Sequence, residues 1–184
     1  ALRSVFPCDP RPYRMRSPMP IGSGRLLPGC DNLADVLWRT RTECGRRHAR
    51  LVAAVAAGCA GTVTDVLAEP LGDGTVQGLL DRGDGLRTVL GRLGDGELRY
   101  AALALVLLTG PGVLDVDPAG EVPAAMQSLT VLADGFERSL DPHQRRELLL
   151  LALRMADRGH IRVVAAVSDA SWAAGAHGVT VVHL

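Results

Sequence analysis

The most constraining feature of this sequence is a segment that predicts two parallel strands joined by a helix. Leu129–Ala133 and Ile161–Val167 are short apolar runs that contain β-branched residues. Between them, Asp141 and Pro142 are typical of a helix N-cap and first helical position, and Gly159 follows the expected end of the helix. A strand, a helix and a strand in this order form a βαβ unit, which requires a parallel sheet. The chain is therefore predicted to contain an α/β layer.

The remaining elements are predicted with the same signals. A buried helix is expected at Glu97–Thr109, because this stretch is apolar nearly all round, and a third strand at Gly178–Leu184. Residues 110–127 are broken by proline and glycine and predict a surface insertion. The first 30 residues carry many prolines and glycines without clear periodicity, so we expect extended, irregular chain there.

A small α+β lobe is predicted between these regions. One helix is expected from Asp31 to a turn near Gly45, and a second over Arg46–Ala57. Gly-Asp-Gly turns then separate three β-like runs, which are Thr62–Leu71, Thr75–Asp81 and Leu86–Leu90. The expected fold class is thus α/β, a parallel sheet with flanking helices preceded by a small α+β lobe. We divide the chain into residues 1–90 and 91–184.

Composition excludes several function classes. The chain has 184 residues, which is about one domain, and its 20 basic residues are all arginine. The absence of lysine excludes a Schiff-base lysine and a phosphate-loop lysine from these residues. The 20 acidic residues balance the arginines, so no overall field favours nucleic acid or an anionic membrane. Residues 1–50 hold ten arginines against four acids, which leaves a DNA-contacting module as a weaker alternative.

The cellular location of the chain and the redox state of its cysteines are predicted from the sequence signals that it lacks. The apolar run Ala101–Leu108 is far shorter than the roughly 20 residues of a bilayer span, and the N-terminus lacks the apolar stretch of a signal peptide. Four cysteines lack a Cys-x-x-Cys pair, which favours reduced thiols. We therefore expect a cytoplasmic protein that does not cross a membrane. Because the chain does not begin with Met, we expect it to be a piece of something longer.

Asp134 is the residue with the strongest functional signal. It directly follows the predicted strand Leu129–Ala133, and the carboxyl end of a buried parallel strand is where α/β sheets bind ligands. In nucleoside triphosphatases an aspartate in this position holds the magnesium ion that bridges the phosphates. The alternative is an ordinary loop acid.

The segment from Leu129 to Pro142 resembles the Walker B strand and D-loop of RecF/SMC-like ATPases, which belong to the AAA/ABC-head group. Their pattern is four apolar residues, Asp-Glu-Pro-Glu, two variable residues and Leu-His-Pro. Asp134 matches the magnesium-binding aspartate, Glu137 matches the second acid, and Leu140 matches the D-loop leucine. The resemblance implies a partial P-loop NTPase-like sheet.

Four further segments resemble this family in the family's order. Leu93–Arg99 is similar to the signature loop, whose glycine amides at a helix N-terminus bind the γ-phosphate held by a partner subunit. Val163–Asp169 takes the place of the switch strand. Phe6–Arg11 and Arg25–Ala34 resemble the middle region of prokaryotic members.

The resemblance implies cofactors, site residues and partners. It implies ATP and Mg²⁺ as ligands, Asp134 as the metal ligand, and a phosphate loop upstream of residue 1. It also implies a homodimer or a head-to-head ATPase partner, and DNA as a possible client of the full-length protein. The implied nucleotide-binding positions are Gly94, Asp95, Gly96, Glu97 and Asp141.

The departures from the family pattern affect catalysis. Gly135 stands where the catalytic glutamate belongs, Gly94 replaces the signature serine, and Ser168 and Asp169 replace the switch histidine. Losing one such group lowers rates by about 10²–10³-fold. We therefore assign no catalytic residue and expect weak or absent hydrolysis. The alternative function is a catalytically dead ATPase-like scaffold for protein interaction.

Each candidate residue also has a structural interpretation. Asp141 is explained by its cap, Glu97 by the helix dipole, and Gly94–Gly96 by an ordinary turn. Arg99 either pairs with a phosphate or extends its apolar stem from a buried helix. Trp38 and Trp172 are interpreted as packing residues. The histidines share no metal-ligand spacing and are expected at the surface; they are His48, His143, His160, His177 and His183.

Overall fold

Two β-sheets and five helices make up the described part of the chain. The computed structural model describes residues 4–110, 112–116, 128–159 and 161–183. The strands are β1 (Ser4–Cys8), β2 (Met19–Pro20), β3 (Asp65–Pro70), β4 (Thr75–Gly83), β5 (Leu86–Val89), β6 (Leu129–Ala133) and β7 (Ile161–Ala165). The helices are α1 (Pro12–Met15), α2 (Leu33–Glu43), α3 (Gly45–Gly58), α4 (Asp95–Leu108) and α5 (Pro142–Ala156), and Leu90–Arg92 form a 3₁₀ turn.

The first sheet is parallel and has the order β1-β6-β7. β6 lies in the middle, with Phe6 of β1 opposite Val131 and Val163 of β7 on its other side. Helix α5 connects β6 to β7, which confirms the predicted βαβ unit. It begins as predicted, because the Asp141 carboxylate accepts a hydrogen bond of 2.8 Å from the Gln144 amide.

The second sheet is antiparallel and corresponds to the predicted small lobe. Its strands pair in the order β2-β4-β3, and β5 also pairs with β4. Both predicted Gly-Asp-Gly segments form the hairpin turns. Gly74 adopts a φ of +81° and Asp84 a φ of +51°, backbone conformations that suit glycine and aspartate in such turns. Helices α2 and α3 pack against β3.

Two predictions about the chain ends are wrong. The first 30 residues are not wholly irregular, because β1 joins the parallel sheet and buries Phe6 and Cys8. Pro7 fits there because β1 is an edge strand, where a missing backbone N–H is tolerated. The strand expected at Gly178–Leu184 does not form over residues 178–183, and Leu184 lies outside the described residues.

The parallel sheet crosses the division at residue 90, whereas the insertion predicted at 110–127 is described only in small part. Because β1 pairs with β6, residues 1–90 and 91–184 share one sheet. Most of the segment 110–127 lies outside the described residues. Within 112–116, Leu114 forms a bridge with Leu26, and both side chains are fully buried.

Helix α4 lies at the centre of the hydrophobic core. Every residue from Leu98 to Leu107 is buried, so the prediction of a buried helix is confirmed, although it begins at Asp95 rather than Glu97. It packs against both α3 and α5. Burying a leucine side chain contributes about 1.5–3 kcal/mol, so this helix supplies much of the driving force for folding. No helix in the described part of the chain is long and apolar enough to cross a membrane.

One face of the parallel sheet is open to solvent. The side chains of Val5, Leu132 and Val164 alternate with buried ones and are 48%, 41% and 52% exposed. β7 is therefore not the fully buried strand that the sequence predicts. Parallel sheets in proteins almost always have both faces covered. This face is thus a surface on which further polypeptide can pack.

Candidate functional site

A cavity of about 420 Å³ lies at the carboxyl end of the parallel sheet. Asp9 and Arg11 line it after β1, and Asp134 lines it after β6. Leu132 and Val164, from the open face of the sheet, contribute apolar lining. A cavity with a few polar groups at this end of a parallel sheet is the usual location of a ligand site in α/β proteins.

Asp134 stands at the mouth of this cavity with its side chain 72% exposed. The Arg138 guanidinium lies between two carboxylates, with Nη2 3.7 Å from Asp134 Oδ2 and Nη1 3.6 Å from Asp9 Oδ1. The described residues hold no group of three or more metal-ligating side chains. Mg²⁺ is commonly bound by one or two carboxylates together with phosphate oxygens and water, so the carboxylates present fit a nucleotide-bound magnesium ion.

Gly135 has a conformational reason to be glycine. It adopts a φ of +55°, in the left-handed region that other residues rarely occupy. A Cβ atom there would lie 2.7–2.8 Å from the guanidinium of Arg138. The guanidinium ends a flexible side chain and can move, so the backbone conformation is what strains a glutamate at this position. The structure thus favours glycine where the family pattern has its catalytic glutamate.

Arg99 of α4 is the residue that joins the elements around the site. Its side chain is only 3% exposed. One nitrogen, Nη1, lies 3.2 Å from the Asp9 carboxylate and donates to the Pro10 carbonyl at 2.5 Å. The other, Nη2, donates to the Gly135 carbonyl at 2.9 Å. Arg99 therefore fixes the ends of β1 and β6 to α4, a role that differs from both sequence interpretations.

The predicted signature loop packs directly against the loop that follows Asp134. A Cβ atom on Gly96 would lie 2.4 Å from the Ser139 carbonyl oxygen and 2.9 Å from Gln144 Oε1. Only glycine allows the backbones to approach this closely. The structure thus brings the segments Gly94–Glu97 and Asp134–Asp141 together, although they are distant in the sequence.

The first turn of α4 presents backbone amides without a side-chain cap. Gly94 is the N-cap and has no side chain to accept from them. Among the described residues, no acceptor bonds to the amides of Asp95, Gly96 or Glu97. Uncapped amides at a helix N-terminus form a binding site for anions.

The two acids in this turn have partners of their own. Arg16 lies 2.5 Å from the Asp95 carboxylate and also donates to the carbonyls of Gly91 and Leu93, at 2.8 and 2.7 Å. Glu97 accepts hydrogen bonds of 3.1 Å from the amides of Gly94 and Ala60. These contacts reduce the negative potential that would otherwise oppose an anion at this turn.

Glu137 has a structural role that the sequence does not reveal. Its side chain is 7% exposed, and Oε1 accepts hydrogen bonds from the Ser168 amide (2.6 Å) and hydroxyl (2.7 Å). Burial disfavours the carboxylate, but the hydrogen bonds from Ser168 outweigh this and lower the pKa of Glu137 below its ordinary value. Glu137 therefore locks the loop after β6 to the segment after β7.

We expect this lock to make stability depend on pH. Because the folded pKa of Glu137 lies below the unfolded one, its contribution is complete above about pH 4.3 and lost as the pH falls through the folded pKa. Glu137→Gln should lower the unfolding free energy at pH 7 by about 1.5–3 kcal/mol, and by less in more acidic buffer. Urea unfolding at pH 7 and at about pH 3 measures both effects. Glu43→Gln, which alters an exposed pair with Arg47, is the control; an equal loss at both pH values contradicts the assignment.

Of the remaining predictions, one is wrong for His48 and one is confirmed for Trp172. His48 is buried rather than at the surface, and its Nε2 lies 2.6 Å from Asp65 Oδ1. Trp172 packs as predicted, with its ring stacked 6.4 Å from that of Phe136, whereas Trp38 is 38% exposed. His48 was missed because its partner lies on β3, 17 residues further along the chain, and no local pattern signals that pairing.

Comparison with known proteins assigns this chain to no family. No family model matches the chain, and no curated protein matches it significantly. What is established is a mixed α/β chain with a three-stranded parallel sheet, a separate antiparallel sheet and helices.

Proposed function

We propose that this chain forms the C-terminal part of a RecF/SMC-like ATPase head, with a partial P-loop NTPase-like fold, that binds ATP–Mg²⁺ between two heads. The observation that carries the proposal is the position of Asp134. It follows the central strand of a parallel sheet and opens onto a cavity of about 420 Å³. The loop Gly94–Gly96 packs against the loop that follows Asp134. Both are features that the resemblance implies.

Asp134 is the proposed metal ligand. Its exposed carboxylate can reach a magnesium ion carried by the nucleotide, since Mg²⁺ keeps most of its ligands as phosphate oxygens and water. Arg138 lies within salt-bridge distance of Asp134 and Asp9 and would turn toward the phosphates when the ion binds. Asp141 supports this site through its helix cap rather than by contacting the ligand.

The amides of Asp95, Gly96 and Glu97 are the proposed anion site. In a homodimer or a head-to-head pair they would meet the γ-phosphate bound by the other head. No acceptor among the described residues bonds to these three amides, so they can donate to an anion. The head would therefore be complete only when two heads associate.

The open face of the parallel sheet is where we propose that the other part of the ATPase head packs. Val5 on this face and the edge of β7 that pairs with no described strand provide a surface for another strand and helix. We propose that the phosphate loop and its lysine lie in that part of the head. A cytoplasmic location and DNA as a client of the complete protein are part of the same proposal.

Hydrolysis is proposed to be slow or absent. Gly135 cannot activate water, and its left-handed backbone disfavours a glutamate in its place. This observation also favours the second candidate, a catalytically dead ATPase-like scaffold for protein interaction. The two candidates differ in whether the complete protein binds nucleotide at all.

Asp134→Asn tests the proposed metal site. In the complete protein that contains this chain, we expect magnesium to strengthen ATP binding, and Asp134→Asn to remove about tenfold or more of that gain, because a neutral amide is a poor Mg²⁺ ligand. Equilibrium titration with a fluorescent ATP analogue, with and without Mg²⁺, measures the gain.

Asp157→Asn, in the turn after α5, is the matched control and should retain the full magnesium effect. An unchanged magnesium dependence in Asp134→Asn contradicts the site assignment. Absence of nucleotide binding by the unaltered complete protein, with or without Mg²⁺, supports the scaffold instead.

A further inference from the structure

A groove of about 230 Å³ lies between helices α3, α4 and α5. At one end α3 and α5 are joined, because His143 Nε2 lies 2.6 Å from the Ala57 carbonyl and Gln144 Nε2 donates to the Gly58 carbonyl at 2.8 Å. From this closed end the groove runs along α3 toward its N-terminus and along α5 toward its C-terminus. Tyr100 of α4 lies at its floor.

The walls of the groove are small and apolar. Helix α3 contributes only alanines between the closed end and Arg50, and α5 contributes Leu151 and Met155. A volume of about 230 Å³ is enough for one or two large apolar side chains of a partner. Alanine walls also allow a partner backbone to approach closely, which a groove that binds a helix requires.

The rim of the groove is positive. Arg50, Arg154 and Arg158 line it and are exposed, and none has a carboxylate within 4.0 Å among the described residues. Glu147 is the one acid that lines it. These three arginines are the ones that line the groove, so their charge is concentrated around it.

We propose that this groove binds an acidic amphipathic helix of a partner protein. One or two apolar side chains of the partner would occupy the groove, and its carboxylates would face Arg50, Arg154 and Arg158. An apolar floor favours a protein helix over nucleic acid, because phosphates and sugars gain nothing from an alanine-lined wall. The surface involves none of the residues of the sheet-end cavity, so the proposal does not depend on nucleotide binding.

The charge distribution also sets the direction of the helix. Glu147 lies one turn or so from the closed end, whereas Arg154 and Arg158 lie toward the open end of the groove. The negative C-terminal end of a helix dipole is stabilised by cations. The partner's C-terminal half, carrying the acidic residues, should therefore lie at the open end.

A designed peptide tests the proposal. The probe is a blocked, fluorescently labelled helical peptide with leucines at i, i+3, i+4 and i+7 and glutamates concentrated in its C-terminal half. We expect saturable binding by fluorescence anisotropy, weakened about tenfold or more by Arg154→Glu or by Arg158→Glu. Ala53→Phe, which fills the groove without changing its charge, should weaken binding similarly.

Arg146→Glu is the matched control, because Arg146 is exposed on the same helix but does not line the groove. It should bind the peptide as the unaltered chain does, and circular dichroism should show the same fold for every variant. The proposal would be overturned by no saturable binding, by equal binding of a peptide with the same residues in scrambled order, or by displacement of the peptide by a single-stranded oligonucleotide. Equal weakening by Arg146→Glu would also overturn it.

Discussion

Replacing Arg99 by alanine is expected to lower the free energy of unfolding by about 3–5 kcal/mol, because it removes a buried side chain together with charge-assisted hydrogen bonds worth about 1.5–3 kcal/mol each. The guanidinium bonds to the Asp9 carboxylate and to the carbonyls of Pro10 and Gly135. Without it, the buried Pro10 carbonyl and the partly buried Gly135 carbonyl lose a donor, and an unsatisfied buried group costs about 1–3 kcal/mol. Domains of this size are stable by about 5–15 kcal/mol, so the effect is a large part of the total.

Two further variants separate charge from packing at this position. Arg99→Met keeps the apolar stem and loses every hydrogen bond, so it should be nearly as destabilised as Arg99→Ala. Arg99→Lys should recover only part of the loss, because one ammonium group cannot reach both the Pro10 and the Gly135 carbonyls. Urea unfolding measures all three.

Arg92→Ala provides the control, since Arg92 is exposed in the 3₁₀ turn just before α4. It should change stability by no more than about 0.5 kcal/mol. An Arg99→Ala variant within about 1 kcal/mol of the unaltered chain would show that these bonds contribute little net stability.

The elements that the sequence predicts correctly are those with local signals. The α5 cap is encoded within four residues, Asp141 to Gln144, and the hairpin turns within Gly-Asp-Gly triplets. The βαβ topology then follows, because a strand, a helix and a strand joined by short connections pack in few ways. Residues close in sequence specify these features without help from the rest of the chain.

The features that were missed depend on contacts between distant residues. β1 pairs with β6, although Ser4 and Leu129 lie 125 residues apart in the sequence. Arg99 reaches Asp9 across 90 residues, and Glu137 reaches Ser168 across 31. No local pattern signals such pairs, so the structural roles of Arg99 and Glu137 could not be predicted.

The incorrect strand at the C-terminus has a related cause. Residues 179–182 are rich in β-branched side chains, which suit a strand, but no neighbouring strand pairs with them in the described structure. Strand propensity expresses packing in a sheet rather than an intrinsic preference of the backbone. An apolar run therefore predicts a strand only where a partner strand is available.

The second large effect that we expect is an energetic coupling between Gly58 and Tyr100, which a double-mutant cycle measures. A Cβ atom on Gly58 would lie 2.1–2.5 Å from ring atoms of Tyr100, whose side chain is 1% exposed. The ring cannot move freely, because its hydroxyl donates a hydrogen bond of 2.9 Å to the Ala54 carbonyl. Helices α3 and α4 therefore depend on glycine at this point of contact.

Tyr100→Ala should cost about 3–5 kcal/mol, as other buried aromatic residues do when truncated. Gly58→Ala gains up to about 1 kcal/mol of helix propensity but overpacks the contact, which typically costs about 1–3 kcal/mol. Overpacking should outweigh propensity, so the variant should be destabilised. Gly45→Ala, on the same helix with nothing within 4 Å of its Cβ position, should be neutral or stabilising.

The double variant distinguishes steric overlap from other causes. Once the ring is removed, the methyl group of Gly58→Ala enters the space it leaves, so the second substitution should no longer destabilise. The two costs should then fall short of additivity by at least about 1 kcal/mol, within the range measured for residues in contact. Urea unfolding of the four proteins in one buffer gives this coupling energy. Strict additivity would mean that Gly58 and Tyr100 do not constrain each other, and that α3 and α4 are held together by other contacts.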